Sequence, residues 1–414
     1  MVNYKTFSLN NRDNNSGLMN ILFMYNGMFH PLRGGLERVS DLLCREFVRR
    51  GHCVFYLHHT YDEKMSGYSY PASMSFFPNS SVTELKENGA FYRNFLIQNK
   101  IDIVIVQNPM DYHKLCAFSK DLRHVKVVSV IHCNPLYMYH HMHLLMWRLR
   151  NDTFIEKIKR VARVIKMPKR KRTYLEWLRG CYDGAFANTD LVCLLSEKFI
   201  PELRSIRIKH FDINKTIAIG NPNTYPLQDI SINRKKKQIL YVGRIEWYQK
   251  RVDRMVVIWK KLYKQFPDWE LVIVGDGSFK QELEQKAVGL ERIAFVGWKD
   301  PESYYRDAAI LCLTSDFEGW GMVLTEAMTF GTVPVAFNTY AAVTEIIENG
   351  CTGILVKPFS YSRFAGKLAM LMRDDALRTK MAASGKAYVR RFDIQRVADR
   401  WESVFRNLKD GSHC

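Results

Sequence analysis

The chain predicts an α/β protein of two doubly wound domains, and three observations carry that prediction. Its 414 residues are too many for one ordinary core and enough for two domains of typical size. Short apolar runs of the kind that form buried parallel strands alternate with amphipathic stretches, in one series before Gly220 and in a second after Lys237. Between the two series, residues 221–237 (NPNTYPLQDISINRKKK) hold prolines, polar residues and a basic run, and read as a linker. The expected division is a frayed polar tail at 1–16, a first domain at 17–220, the linker, a second domain at 238–391, and a terminal segment at 392–414.

Composition narrows the class. Hydrophobic residues make up 47% and charged residues 25%, which is globular and not disordered. The opening MVNYKTFSLNNRDNNSG has no apolar core of signal-peptide type, and no run approaches the roughly 18 apolar residues of a membrane span, so a cytoplasmic protein is expected. Nine cysteines, with no C-x-x-C pair and several inside apolar runs, read as reduced core thiols.

The first domain should open with a strand at Met19 to Tyr25, then a loop ending at Gly34 and Gly35 before an amphipathic helix (LERVSDLLCREFVRRGH). The dinucleotide pattern G-x-G-x-x-G is absent from that loop, which argues against a redox enzyme. Further strands are expected at Cys53 to His58, Ile101 to Gln107, Val125 to Ile131, Leu191 to Leu195 and Thr216 to Ile219. His132 follows one of them directly. Ligands of open parallel sheets bind beyond the carboxyl ends of strands, so His132 should face the cleft. The cluster His140, His141 and His143 lacks a nearby Cys or acid to complete a metal site and reads as a basic, partly exposed face.

The second domain should begin with the strand QILYV, and Gly243, Arg244 and Lys250 place two cations at one strand-to-helix junction. ELVIVG (270–275), IAFVG (293–297), AILCLT (309–314), VPVAF (333–337) and GILVK (353–357) read as the remaining strands. The densest chemistry lies in AILCLTSDFEGWGMVLTEAMTFGTVP, from Ala309 to Pro334. Glu318 stands at the carboxyl end of a strand, Gly319 and Gly321 let the backbone turn and approach a ligand, and the helix opening at Met322 offers free amides and a partial positive charge to an anion. Glu326 falls one turn inside that helix, on an apolar segment where a carboxylate needs a partner such as a ribose diol.

The string E-G-W-G with a second glutamate eight residues after the first resembles the E-x7-E signature of retaining glycosyltransferases of the GT-B fold, the large family often numbered four. The resemblance is strong from Val242 to Lys357 and weak before Gly184. It implies two Rossmann-like domains with a C-terminal helix crossing back onto the first, here Phe392 to Leu408, where Val397, Trp401 and Phe405 form one stripe. It also implies roles. Glu318 would touch the donor sugar, the backbone of Gly319, Trp320, Gly321, Met322, Val323 and Leu324 would hold sugar and phosphate, and Glu326 would bind the nucleotide ribose. Arg244 and Lys250 would clamp the diphosphate, Gly35 would approach it across the cleft, His132 would support the sugar, and Gly297 and Trp298 would seat the base.

The expected reaction is transfer of a glycosyl unit from a nucleotide-sugar, UDP-linked ahead of GDP-linked, to a hydroxyl of a glycan or lipid-linked acceptor of lipopolysaccharide, capsule or O-antigen type, with retention. No cofactor is expected. There is no D-x-D metal motif; Asp316 and Glu318 come nearest, and the second is assigned to the sugar. Two other classes stay open: an epimerase or glycan phosphorylase on the same fold, and a non-catalytic basic protein.

The formal charge of +19 is uneven, with +13 of it before Asn221 and +9 between Arg148 and Arg179 alone. There Phe154, Ile158, Val161 and Ile165 fall at helical spacing with cations on the other face, and Pro168 interrupts the pattern before KRKRTYLEWL. A basic amphipathic helix suits an anionic bilayer, where each cation near the headgroups contributes about 1 kcal/mol. No nucleic-acid motif accompanies the charge, so the expectation is peripheral association with the inner face of a membrane.

Overall fold

The computed structural model describes residues 17–143, 161–227 and 232–411. The tail at 1–16, residues 148–160 of the basic segment, with Phe154 and Ile158, and part of the linker lie outside the described residues.

Two all-parallel sheets form the two domains. The first has seven strands: β1 (Asn20–Tyr25), β2 (Cys53–His58), β3 (Ser73–Phe76), β4 (Ile103–Val106), β5 (Lys126–Ile131), β6 (Leu191–Leu194) and β7 (Thr216–Ala218), in the spatial order β3-β2-β1-β4-β5-β6-β7. The second has six: β8 (Lys236–Val242), β9 (Glu270–Val274), β10 (Ile293–Gly297), β11 (Ala308–Leu313), β12 (Val333–Phe337) and β13 (Ile354–Val356), in the order β10-β9-β8-β11-β12-β13. In each sheet the order reverses beside its first strand, which opens a crevice at the carboxyl ends of the central strands. The central strands β4 and β11 are buried along their whole length, as continuous Ile, Val, Leu and Ala runs require. β3 was not expected, because SMSF carries no apolar run. It is a half-exposed edge strand, paired through its backbone to β2 alone.

The helices include α1 (Gly35–Arg49), α2 (Leu85–Gln98), α3 (Tyr137–His141), α4 (Met167–Asn188), α5 (Asp253–Trp259), α6 (Glu302–Asp307), α7 (Met322–Thr329), α8 (Val343–Ile346), α9 (Tyr361–Arg373), α10 (Asp375–Tyr388) and α11 (Ile394–Asp410). Residues 161–165 are helical, Lys166 turns, and α4 opens with Pro168 in its first turn, where a missing amide costs nothing. The expected break at that proline is therefore a junction between two helical pieces.

α11 returns to the first domain. Val397, Ala398, Trp401 and Phe405 complete the core formed by α1 and strands β1, β2, β4 and β5. Polar contacts fix its register: Arg50 pairs with Asp399 at 2.6 Å and Glu402 at 3.3 Å, and Lys409 with Asp102 at 2.8 Å. The chain thus passes between the domains twice. The two passes are tied where the Asn223 amide donates to the Phe392 carbonyl at 2.7 Å.

Candidate active site

The loop after β11 is built by charge and by glycine. Asp316 is buried, and its carboxylate is held by Arg254 at 2.5 Å and Arg251 at 3.2 Å, while its amide donates to the Gln249 carbonyl at 2.8 Å. A buried carboxylate needs such pairing, and here it pins the loop to the segment between β8 and α5. Two residues on, Glu318 is 6% exposed. Its Oε1 accepts from Lys250 Nζ at 2.7 Å and from Ser315 Oγ at 2.6 Å, and Gln249 Nε2 stands 3.5 Å from Oε2. Gly321 then takes a left-handed conformation (φ 88°), and a Cβ there would stand 2.3 Å from the Tyr340 hydroxyl. Only glycine fits both conditions.

α7 opens immediately after that turn with no side-chain cap. The Leu324 amide is committed to the Gly321 carbonyl at 2.9 Å, whereas no hydrogen bond reaches the amides of Met322 and Val323 among the described residues. Of the expected set of amides only that of Leu324 is thus taken up, and Met322 and Val323 stand at the helix start itself. Across the cleft, α1 also opens without a side-chain cap, and Met322 Sδ lies 3.3 Å from where a Gly35 Cβ would stand. Two helix N-termini, one from each domain, converge on one place. Each carries a partial positive charge, so together they favour an anion.

The domains meet closely here. A Cβ on Gly319 would lie 2.0 Å from the His132 carbonyl oxygen, so the chain just after β5 of the first domain and the Glu318 loop of the second touch backbone to backbone. His132 is partly buried; its Nε2 is paired with the Gln107 side-chain oxygen, and its Nδ1 is buried without a partner among the described residues. Burial pushes its pKa down to about 4, so the ring is neutral at pH 7.

Glu326 is where sequence reasoning stopped short. It is 2% exposed, and instead of waiting for a ligand its carboxylate already accepts from Thr224 Oγ1 at 2.6 Å, the Tyr305 hydroxyl at 2.6 Å and Arg38 Nη1 at 3.3 Å. These donors come from the linker, α6 and α1, and no local pattern points to them. The Trp320 ring packs edge-on against Phe392 at 5.3 Å, over Gly220, so it fills the joint between the two chain crossings and leaves only its backbone to the expected role. Arg244 lies at the margin, 61% exposed, with Glu246 at 3.4 Å. Gly297 and Trp298 sit at the end of the edge strand β10; Trp298 is 61% exposed, and no described contact joins it to the Glu318 loop. Sequence reasoning named Glu318, Lys250, Gly35, His132 and Met322, which the fold does bring together. It missed Gln249, Arg251, Arg254 and Ser315, for which the local signal was the polar string Q-K-R beside Asp253.

Residues 227–388 match the family model of glycosyl transferases group 1, and residues 33–208 match that of glycosyltransferase family 4. The chain belongs to the group 1 glycosyltransferases of the GT-B fold. Among curated relatives, the amylovoran biosynthesis glycosyltransferase AmsD of Erwinia amylovora is 30% identical over 205 residues, 47% of this chain and 57% of that protein. A Campylobacter jejuni α-1,4-N-acetyl-D-galactosaminyltransferase, named for a diNAcBac-PP-undecaprenol glycan, is 26% identical over 178 residues, 42% of this chain and 50% of that one. The chain thus spans about half the length of the curated relatives it matches. Of solved structures, Anabaena HepE in complex with UDP superposes with a TM-score of 0.72 at 17% identity, covering 94% of this chain and all of that one. At that identity the likeness speaks for the fold.

Proposed function

We propose that this group 1 glycosyltransferase moves a glycosyl unit from a nucleotide-sugar to a hydroxyl of a lipid-linked or surface-polysaccharide acceptor, with retention at the anomeric carbon. One observation carries the reading: the uncapped starts of α1 and α7 converge, at Gly35 and Met322, beside a carboxylate paired to a lysine, Glu318 with Lys250 at 2.7 Å. A sugar diphosphate needs such a set, with donors and positive charge for the phosphates and a fixed acceptor for sugar hydroxyls. In this mechanism Glu318 orients the sugar. Lys250, Arg244 and the Met322 and Val323 amides stabilise the leaving diphosphate as charge builds on it. Glu326 accepts from the ribose hydroxyls once Thr224 or Arg38 yields its place. His132 holds the sugar from the first domain; its neutral ring and its Nε2 bond to Gln107 suit packing better than proton transfer. The acceptor hydroxyl attacks on the face the diphosphate leaves, and a phosphate oxygen takes its proton.

Charge neutralisation by cations and amides leaves this mechanism independent of a divalent ion; loss of turnover in EDTA with recovery on added manganese would overturn that part. The decisive test is binding. Free UDP at a hundred times its dissociation constant should stabilise the protein by about 2.7 kcal/mol, ahead of GDP at equal concentration, and the Lys250→Ala protein should lose that gain. Absence of stabilisation by either nucleotide sinks the proposal.

The acceptor side draws on α4 and the helical piece at 161–165 before it. Val161, Val164, Ile165 and Trp177 are exposed among the cations Lys166, Lys169, Arg170 and Arg172, a composition that suits an anionic bilayer surface. Among the described residues no helix is long and apolar enough to cross a membrane. In this reading the protein works at the cytoplasmic face as a peripheral enzyme. Sedimentation with phosphatidylglycerol vesicles at low salt, and release at a few tenths molar salt, would support it. Equal sedimentation of a variant with Lys169, Arg170, Lys171 and Arg172 changed to Ser would remove it.

A further inference from the structure

The histidine run after β5 takes no part in the site as described above, yet the fold carries it there. The His141 ring stacks on Phe317 with centroids 4.7 Å apart and planes 29° apart, and Tyr137, one turn earlier on α3, lies 5.3 Å from the same ring. Phe317 is 8% exposed and directly precedes Glu318, and its carbonyl accepts from Gln249 Nε2 at 3.3 Å. Burial, the largest cause, lowers the His141 pKa, so the ring meets Phe317 as a neutral aromatic; of the expected basic, partly exposed face this residue keeps the partial exposure and loses the charge. The two neighbours preceding Glu318 are therefore anchored from opposite sides. Asp316 is locked within its own domain by Arg254 and Arg251, and Phe317 is gripped by a helix of the other domain.

We propose that Tyr137 and His141 are positioning residues for Glu318: by clamping Phe317 they aim the neighbouring carboxylate, so the sugar-orienting geometry is assembled only while the two domains are closed. Neither ring touches the reacting atoms in this scheme. Both act through Phe317. The first domain would thus contribute to the chemistry beyond carrying the acceptor, and any rotation that lifts α3 would disarm Glu318 without touching Lys250 or α7. The inference rests on the glycosyl-transfer reading, and the experiment separates the two.

The test uses the full chain and compares wild type with His141→Ala, His141→Phe, the Tyr137→Ala/His141→Ala double variant and Phe317→Leu. Free UDP binding is measured by calorimetry, and UDP release is followed with whichever UDP-sugar wild type turns over fastest. Misaiming a group by a fraction of an ångström to an ångström lowers turnover by about 30- to 100-fold. The double variant should show that loss in kcat with a UDP dissociation constant within about twofold of wild type. Phe317→Leu should reproduce it without altering α3, which covers the case of a poorly folding α3 variant. His141→Phe should recover to within about threefold of wild type, since a phenyl ring preserves the stack. Normal kcat in both the double variant and Phe317→Leu overturns the clamp, as does a His141→Phe protein as impaired as His141→Ala, which would mean that the imidazole nitrogens act themselves. If wild type binds neither UDP nor GDP and releases neither from its sugars, the glycosyl-transfer reading fails first and takes the clamp with it; if it binds only GDP, the same comparison is made with GDP and GDP-sugars.

Discussion

Replacing Lys250 with methionine removes one partner of a pair whose side chains are 16% and 7% exposed and leaves Glu318 with Ser315 Oγ at 2.6 Å and a long contact to Gln249 at 3.5 Å. A hydroxyl does not replace an ammonium. Breaking a buried pair by deleting one charge costs about 3 to 5 kcal/mol, mostly because the other charge stays buried and uncompensated. The Ser315 bond and a partly accessible Lys250 put the expected value at the lower end, about 3 kcal/mol, which for a domain of this size is a fall in Tm of about 6 to 12 °C. Replacing both residues, Lys250→Met with Glu318→Gln, removes the orphaned charge and should restore most of that loss. Differential scanning calorimetry on wild type, both single variants and the double variant reads the coupling directly. All three variants should be inactive, so stability and turnover part company in the double variant. A Lys250→Met protein melting within 2 °C of wild type, or a double variant no more stable than that single one, would refute the claim that the two residues compensate each other as buried charges.

Three further perturbations test other parts of the structure. Trp401→Ala, at a position 4% exposed on α11, should cost about 3 to 5 kcal/mol and lower the Tm by about 10 °C, measured by the same calorimetry; a shift under 3 °C would mean that α11 only rests on the first domain. His58 is fully buried among Phe29, Tyr56 and Phe76, and burial pushes its pKa down to about 3. Because the folded value lies below the unfolded one near 6.5, the unfolded chain binds the proton first, so stability falls as pH drops from about 6.5 toward 3, by about 2 kcal/mol at pH 5. His58→Phe should make that part of a Tm-against-pH curve shallower, His59 and His132, each lowered by burial to about 4, keeping up the remainder, and an unchanged slope would locate the acid sensitivity elsewhere. Gly319→Ala places a Cβ 2.0 Å from the His132 carbonyl oxygen, so the domains must part; small-angle scattering should show a larger radius of gyration, and turnover should fall by about a hundredfold or more, whereas an unaltered scattering curve would show that the loop absorbs the methyl.

What the sequence disclosed, and what it hid, divides along one physical line. Buried parallel strands are continuous apolar runs, so IVIV of β4 and AAILCL of β11 announce themselves, and glycines that turn the chain before a helix do so too. Glu318, Lys250 and the start of α7 were legible because they sit at strand-to-helix junctions, which recur at the carboxyl ends of a parallel sheet. The partners of Glu326 were not. Arg38 is 288 positions away and Thr224 is 102, and neither stands in a periodic context that asks for a carboxylate. His141 misled for the opposite reason: its local company of histidines and cations describes a basic, partly exposed face, and only tertiary packing shows that one side of the ring lies on Phe317. β3 went unseen because an edge strand held by backbone bonds requires no apolar side chains.

The return of α11 to the first domain has a consequence for how the protein comes to be made. Val397, Ala398, Trp401 and Phe405 belong to the same core as Ile21, Phe23 and Ile105, so the amino-terminal domain is spatially one body but two separate pieces of chain. A ribosome adding about 5 to 20 residues per second delivers the end of β7 and then needs roughly 10 to 35 s to deliver α11. During that interval the first domain stands with an open flank of apolar side chains while the second domain, continuous in sequence, is completed. The usual order of domain maturation is therefore inverted here: the half synthesised first is finished last. Neither a fragment ending at Gly220 nor one starting at Lys236 contains a complete amino-terminal domain, so division of the molecule into two working fragments requires α11 to be carried on the first of them.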